Sequence, residues 1–242
     1  MNGISLFTGS AIGELVFKEI IPGYRTVGYV ENDPYCIAHI IKSIKAGLID
    51  DAPIWDDIRT FDGKAWAGKV DFVSGGDPCQ DNSNACRSHG ACQRSLADEF
   101  LRVISEIRPH IILRENPSTV RSDAPSKSDR FANELRKFGY VTARIKINAC
   151  CMGADHRRSR LFVFATLQDT IGKRLEGNVC KKMEIAREWR SNADTTGSNR
   201  WHTPPRICGK TDGVPFRVDR IKMLGNGWVP QTVARILKVR AM

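Results

Sequence analysis

Short apolar runs alternate with amphipathic stretches along most of this chain, and that alternation restricts the fold more than any other feature of the sequence. ISLF (4–7) leads into a glycine-bearing turn and a helical pattern from about Gly13 to Ile21. TVGYVE (26–31) precedes PYCIAHIIKSIKAG, in which Pro34 suits a first helical turn because its missing N–H would be unpaired there anyway. KVDFVS, HIILRE (110–115), YVTARIKI and LFVFAT (161–166) read as further strands. Between them, SLADEFLRVISEIRP sets Leu96, Phe100, Ile104 and Ile107 on one helical face and stops at Pro109. DRFANELRKFGY turns Phe131, Leu135 and Phe138 inward and ends on Gly139. Strands and helices in alternation predict an α/β fold on a parallel sheet of at least six strands.

The chain's 242 residues suit one sizeable domain with a small insertion. No apolar run reaches the length of a membrane span. The opening MNGISLFTGSAIGE has no basic segment and meets Glu14 early, which speaks against a secretory leader and for a cytoplasmic protein. Eight cysteines contain no CxxC pair, and Cys79, Cys86 and Cys92 are spaced too loosely for zinc, so free thiols and no metal are expected. With 37 Lys and Arg against 27 Asp and Glu, the net charge of +10 suits a polyanionic partner, nucleic acid first, although a generally basic protein would look the same. From 168 to 214 the periodicity fades, and 171–210 carries nine basic residues against four acidic ones, the mark of a small basic insert. VPQTVARIL (229–237) is helical again.

Open α/β sheets bind ligands beyond the carboxyl ends of their strands. Gly9, Glu31, Asp57, Cys79 and Glu115 all fall just past a strand. LFTGSAIGE has the strand–glycine turn–helix form that cradles nucleotides. Glu31 lies about 20 residues on, where an acid commonly grips ribose hydroxyls; the alternative is a carboxylate cap for the helix at Pro34. In DFVSGGDPCQDNSN, two glycines and a proline present one thiol, Cys79, at a strand end, where its pKa can be lowered. In LRENPST, Glu115 and Asn116 end a strand that Pro117 blocks. In GADHRRSRLF, alternation turns Arg158 and Arg160 to one face, either to hold an anion or a base carbonyl or as a solvated basic edge.

Taken in order, GGDPCQDNS, REN, HRRSR and RVDRIKMLGNGWVPQTVARI resemble the motifs of the DNA (cytosine-5-)methyltransferases of the bacterial and phage restriction-modification type. The likeness covers residue 4 to about 166 and again about 204 to 237. It implies a Rossmann-like S-adenosylmethionine-dependent methyltransferase fold, with residues 1–167 and 204–242 forming the catalytic domain and 168–203 a short target-recognition region. It also implies base flipping in double-stranded DNA, attack of Cys79 on C6 of cytosine, protonation assisted by Glu115, and Arg158 and Arg160 holding the base. S-adenosyl-L-methionine, leaving as S-adenosyl-L-homocysteine, would be held by Phe7, Gly9, Gly13, Glu31, Asp57, Ile58, Pro78 and Asn226. Gln80, Ser83 and Asn116 would contact the substrate, and the protein would act as a monomer.

The sequence departs from the family pattern at several points. Ala11 stands where the first motif usually has its second glycine, and its methyl would crowd the cofactor or force a different turn. Asn32 replaces an apolar residue that packs on adenine, His156 replaces the Gln that opens the arginine motif, and Cys150–Cys151 replaces small residues. Trp189 and Trp201 in the insert suit either base stacking or a small local core. A catalytically silent DNA-binding relative and an RNA cytosine methyltransferase are the alternatives of a different kind.

Overall fold

The computed structural model describes residues 1–77, 95–117, 127–152, 158–168, 219, 223 and 227–241. A seven-stranded sheet runs through them. In chain order the elements are β1 (Asn2–Leu6), α1 (Ile12–Ile20), β2 (Arg25–Val30), α2 (Pro34–Lys45), β3 (Ile54–Trp55), β4 (Phe72–Gly75), α3 (Leu96–Ile107), β5 (Ile111–Pro117), α4 (Lys127–Lys137), β6 (Tyr140–Asn148), β7 (Ser159–Leu167) and a C-terminal helix, α5 (Pro230–Ala241). The strands lie side by side as β3-β2-β1-β4-β5-β7-β6.

The expected α/β alternation is present, with two differences. The sheet is mixed rather than all parallel, because β7 runs antiparallel to both β5 and β6. The strand expected before Asp57 is only the two-residue β3, too short to carry a periodic signal, and it pairs with β2 only at Tyr29–Ile54 and Val30–Trp55.

Both faces of the sheet are covered. Phe100, Val103, Ile104 and Ile107 of α3 and Phe131 and Leu135 of α4 pack against Ile4, Leu6, Val73, Ile112 and Val163 on one face. Phe17 of α1 and Val233, Ile236 and Leu237 of α5 pack against Phe72, Leu113 and Phe162 on the other. Each fully buried side chain of this size contributes roughly 1.5–3 kcal/mol. The helix ends follow their local chemistry. Asp33 caps α2 by accepting from the N–H groups of Tyr35 and Cys36. Ser95 caps α3 by accepting from Asp98 N, while its hydroxyl donates to the Asp98 carboxylate. Gly139, at φ +87°, closes α4 in the left-handed conformation that a glycine adopts freely.

The chain moves outward from β1 through β2 to β3, then returns to β4 on the other side of β1 and continues to β5. The order therefore reverses between β1 and β4, and their carboxyl ends flank the crevice where such sheets take their ligands.

Candidate active site

The turn after β1 is bent unusually tightly. Phe7, Gly9 and Ala11 all have left-handed backbones, at φ 53°, 60° and 55°. For Phe7 and Ala11 that conformation costs roughly 1–2 kcal/mol each, a strain that clusters at binding loops. Ala11 holds a left-handed backbone, the conformation a glycine adopts freely, and so keeps a glycine-type turn at the cost of strain. The methyl itself packs inward, fully buried with Tyr29, Ile40 and Ile49.

Glu31 joins this turn to the next one. Its carboxylate accepts from Gly9 N at 2.7 Å and from Asp33 N at 2.8 Å. Capping of α2 thus falls to Asp33, and the alternative role considered for Glu31 is taken by its neighbour. Past β3, Asp57 accepts from the backbone N–H of Arg59 and remains partly exposed, while Ile58 is buried. Gly13 lies in α1 against the Trp228 ring, 3.1 Å from where a Cβ would stand. Phe7, Gly9, Glu31, Asp57 and Ile58 thus lie along the carboxyl ends of β1, β2 and β3.

Arg102, on α3, was missed by sequence reasoning. Its guanidinium donates to the carbonyls of Ile58 (2.6 Å) and Phe61 (3.0 Å) while pairing with Glu99 and Glu106, and so ties the Asp57 loop to α3. The i, i+3 and i, i+4 acids read from sequence as an ordinary helix-surface pattern.

On the other side of the crevice, the two glycines after Val73 have a concrete cause. A Cβ on Gly75 would stand 2.6 Å from the Leu6 carbonyl oxygen of the neighbouring strand. One on Gly76 would stand 3.0 Å from Trp228 Nε1 and 3.2 Å from Glu115 Oε2. The exit of β4 therefore presses directly on Glu115.

Glu115 is 4% exposed, and burial pushes its carboxyl up to about 7, opposed by the positive charges of Arg160 and Arg158. Arg160 Nε approaches Glu115 Oε1 to 2.5 Å, although neither atom has a directed hydrogen bond among the described residues, so the contact is an ion pair out of line. The reversed direction of β7 creates this meeting. Phe162 lies opposite Glu115 and Arg160 opposite Pro117, so the start of β7 reaches the same rim as the end of β5. Arg158 Nη2 donates to Gly227 O at 2.7 Å, which binds the C-terminal segment to the rim. Burial and the neighbouring Arg160 lower its pKa from the usual guanidinium range.

Asn116 faces the other way. Its amide donates to Asp77 Oδ1 at 2.8 Å, and Asp77 takes a two-pronged pair from Arg114, at 2.5 Å from Nε and 2.7 Å from Nη2. The Arg114 guanidinium lies 4.0 Å from the centre of the Phe131 ring. Neither Asp77 nor Arg114 had been singled out from the sequence. An Arg inside an apolar strand beside an Asp in the GGDPC stretch was the available signal. Pro78, Cys79, Gln80, Ser83, His156, Asn226, Trp189, Trp201 and the insert from 169 onward lie outside the described residues. Among the described residues, no cluster of His, Cys, Asp and Glu could hold a metal ion, and no helix is long and apolar enough to cross a membrane. Among the described cysteines, Cys36 is buried, and Cys150 and Cys151 are exposed thiols.

The sequence pattern of the family described as C-5 cytosine-specific DNA methylase matches residues 1–205. The Type II methyltransferase M2.BsuMI of Bacillus subtilis is 27% identical over 234 residues, covering 88% of this chain and 58% of its own length. The Type II methylase M.HgiDII of Herpetosiphon aurantiacus is 28% identical over 170 residues, covering 69% and 48%. The orphan methyltransferase M.SPRI of Bacillus phage SPR is 26% identical over 172 residues, covering 69% and 38%. Among solved structures, the S. pombe Dnmt2 methyltransferase superposes with a TM-score of 0.54 at 18% identity, covering 83% of this chain and 57% of that one, which shows a shared fold. The chain spans about half the length of the curated relatives it matches.

Proposed function

The chain belongs to the C-5 cytosine-specific DNA methylase family, and from that premise we propose that it methylates C5 of a flipped-out cytosine in double-stranded DNA, through a transient bond from Cys79 to C6 of the ring. The observation that carries this reading is the constellation at the rim. A buried carboxyl at Glu115, held near neutrality, stands beside Arg160 and Arg158, one strand away from the exit that leads to Cys79.

S-adenosylmethionine fits the other half of the rim. The strained turn at Phe7, Gly9 and Ala11, the buried Glu31 carboxylate within its reach and the partly exposed Asp57 provide a cradle, an acceptor for ribose hydroxyls and an acceptor for the adenine amine. Ile58, Gly13, Pro78 and Asn226 would complete the pocket. When bound, this cofactor supplies a methyl group on a sulfonium sulfur.

An unactivated C5 is a poor nucleophile. The Cys79 thiolate adds to C6 and divides the difficult step in two. Glu115 gives its proton to N3 as electron density moves toward the ring, which a carboxyl with a pKa near 7 can do at neutral pH. Arg160 and Arg158 hold the base and stabilise the carboxylate that results. After the methyl is in place, the C5 proton passes to solvent water, Cys79 leaves as the thiolate, N3 returns its proton to the Glu115 carboxylate, and the aromatic ring is restored. Gln80 and Ser83 position the base, whereas Asn116, turned toward Asp77, acts through the exit of β4. Residues 168–203 would read the target sequence, a short one given so little surface, and the enzyme would act as a cytoplasmic monomer.

Incubation with labelled S-adenosylmethionine and mixed-sequence duplex DNA tests this directly, with the nucleosides read by mass spectrometry. 5-Methylcytosine is expected from the parent chain and none from Cys79→Ser. Its absence with a folded, DNA-binding parent would instead point to a silent relative.

A further inference from the structure

β5 holds the exit of β4 from both faces. On one face Glu115 meets Gly76, and on the other Arg114 and Asn116 meet Asp77, the residue that immediately precedes Pro78 and Cys79. We propose that Arg114 and Asp77, seated on Phe131, form a positioning device that fixes where the Cys79 loop leaves the sheet. The proposal rests on the reading of Cys79 as the nucleophile.

Three observations carry it. The first is depth: the side chains of Arg114 and Asp77 are 1% and 9% exposed, so the pair is almost dry. A dry ion pair is a poor route to stability, because the desolvation of both charges offsets their attraction and an apolar pair of similar volume often does as well. Here the pairing is also incomplete, since Arg114 Nη1 is buried with no hydrogen-bond partner among the described residues. Such a pair is better explained by the geometry it imposes.

The second is directionality. Two parallel N–H···O bonds fix the plane of the carboxylate, and the Asn116 amide adds a third to Oδ1. A point charge would leave Asp77 free to rotate, whereas a fork does not. Phe131 in turn backs the guanidinium from α4 at 4.0 Å.

The third is connection. Arg114 and Glu115 are consecutive residues on one strand, facing opposite ways. The element that carries the proton donor also holds the strand exit that leads to the nucleophile, and the two groups are thereby set relative to each other by backbone geometry. Misplacing a reacting group by an ångström costs about 10²-fold in rate.

The test uses the full chain with Asp77→Asn, Arg114→Met and the double substitution, in each case measuring Tm, kcat, the KM for cofactor and the alkylation rate of Cys79 by iodoacetamide. The Cys79 peptide is resolved from the other cysteines by mass spectrometry. Each single change leaves a buried group without its partner and lowers Tm. The double change removes both charges and recovers Tm. For a positioning device, kcat of the double variant stays low by about 10²-fold, the KM for cofactor is unchanged, and Cys79 alkylation differs from that of the parent. A double variant that recovers kcat together with Tm, or whose Cys79 reacts as in the parent, overturns the proposal. If the parent transfers no methyl group, the assigned function fails on its own, and the alkylation rates still decide whether the pair governs the thiol.

Discussion

At Glu115 two forces oppose each other. Burial favours the neutral acid, Arg160 and Arg158 favour the carboxylate, and the balance lies near 7 rather than at the usual 4.5. A proton donor with that value is active below about 7 and lost above it, whereas the thiolate fraction of Cys79 grows with pH. A bell-shaped profile of kcat/KM is therefore expected. Glu115→Gln should lower kcat by roughly 10²–10⁴-fold and remove the alkaline limb, as read from initial rates across pH. If Glu115→Gln keeps that limb, the proton donor is another group. Ala11 shows how far a residue can be judged from sequence. That Ala11 stands where a glycine is usual was legible; that it would keep a left-handed backbone, at φ 55°, was not. That the methyl would find a packed site among Tyr29, Ile40 and Ile49 was not, because those residues come from β2, α2 and the segment after α2.

At the scale of elements, the strand ends do the positioning. Adjacent glycines at 75 and 76 close the gap between β4 and its neighbours, but they meet different obstacles. Gly75→Ala drives a methyl into the Leu6 backbone, which cannot move without the sheet. A loss of about 1–3 kcal/mol is expected in urea unfolding. Gly76→Ala meets the Trp228 ring nitrogen at 3.0 Å and the Glu115 carboxylate at 3.2 Å, with backbone no nearer than the Glu115 carbonyl at 3.4 Å, so a smaller loss of stability should accompany a disproportionate loss of methyl transfer as the carboxylate is displaced. Equal effects of the two substitutions on stability would refute this distinction. The helices were legible because capping and amphipathic spacing are local: Ser95 and Asp33 sit where their side chains reach the first free N–H groups. The direction of β7 was not legible. LFVFAT has the same apolar pattern whichever way it runs, and only its pairing with β5 and β6 sets the direction.

Across the whole molecule, the reversal of strand order between β1 and β4 puts the turns of β1, β2 and β3 on one side of the crevice, and Glu115, Arg158 and Arg160 on the other. Beneath the crevice lies a second displaced carboxyl. Glu14 in α1 is 4% exposed, and burial pushes it up to about 7, opposed by the Ser5 hydroxyl. Between 4.5 and about 7 the folded protein holds a proton on Glu14 that the unfolded chain releases. Stability should therefore be greatest for this group below 4.5 and fall as pH rises through 7, by on the order of 3 kcal/mol from Glu14 alone. Glu115 acts in the same direction. Denaturant titrations from pH 5 to 8 should show the decline in the parent and a shallower one in Glu14→Gln. An unchanged slope would mean that Glu14 does not titrate in this range.

By itself, the sequence determined the local elements, the α/β alternation and the ordered set of strand-end residues, because periodicity, caps and turn chemistry act within a few residues. Only the tertiary structure decided which of those residues meet. Arg160 reaches Glu115 because β7 is reversed, and Asp77 takes Arg114 from a strand 37 residues away because β4 and β5 lie in register. Both contacts depend on strand direction and neighbour choice. Those are settled by how the two faces of the sheet are covered, and no single segment encodes them.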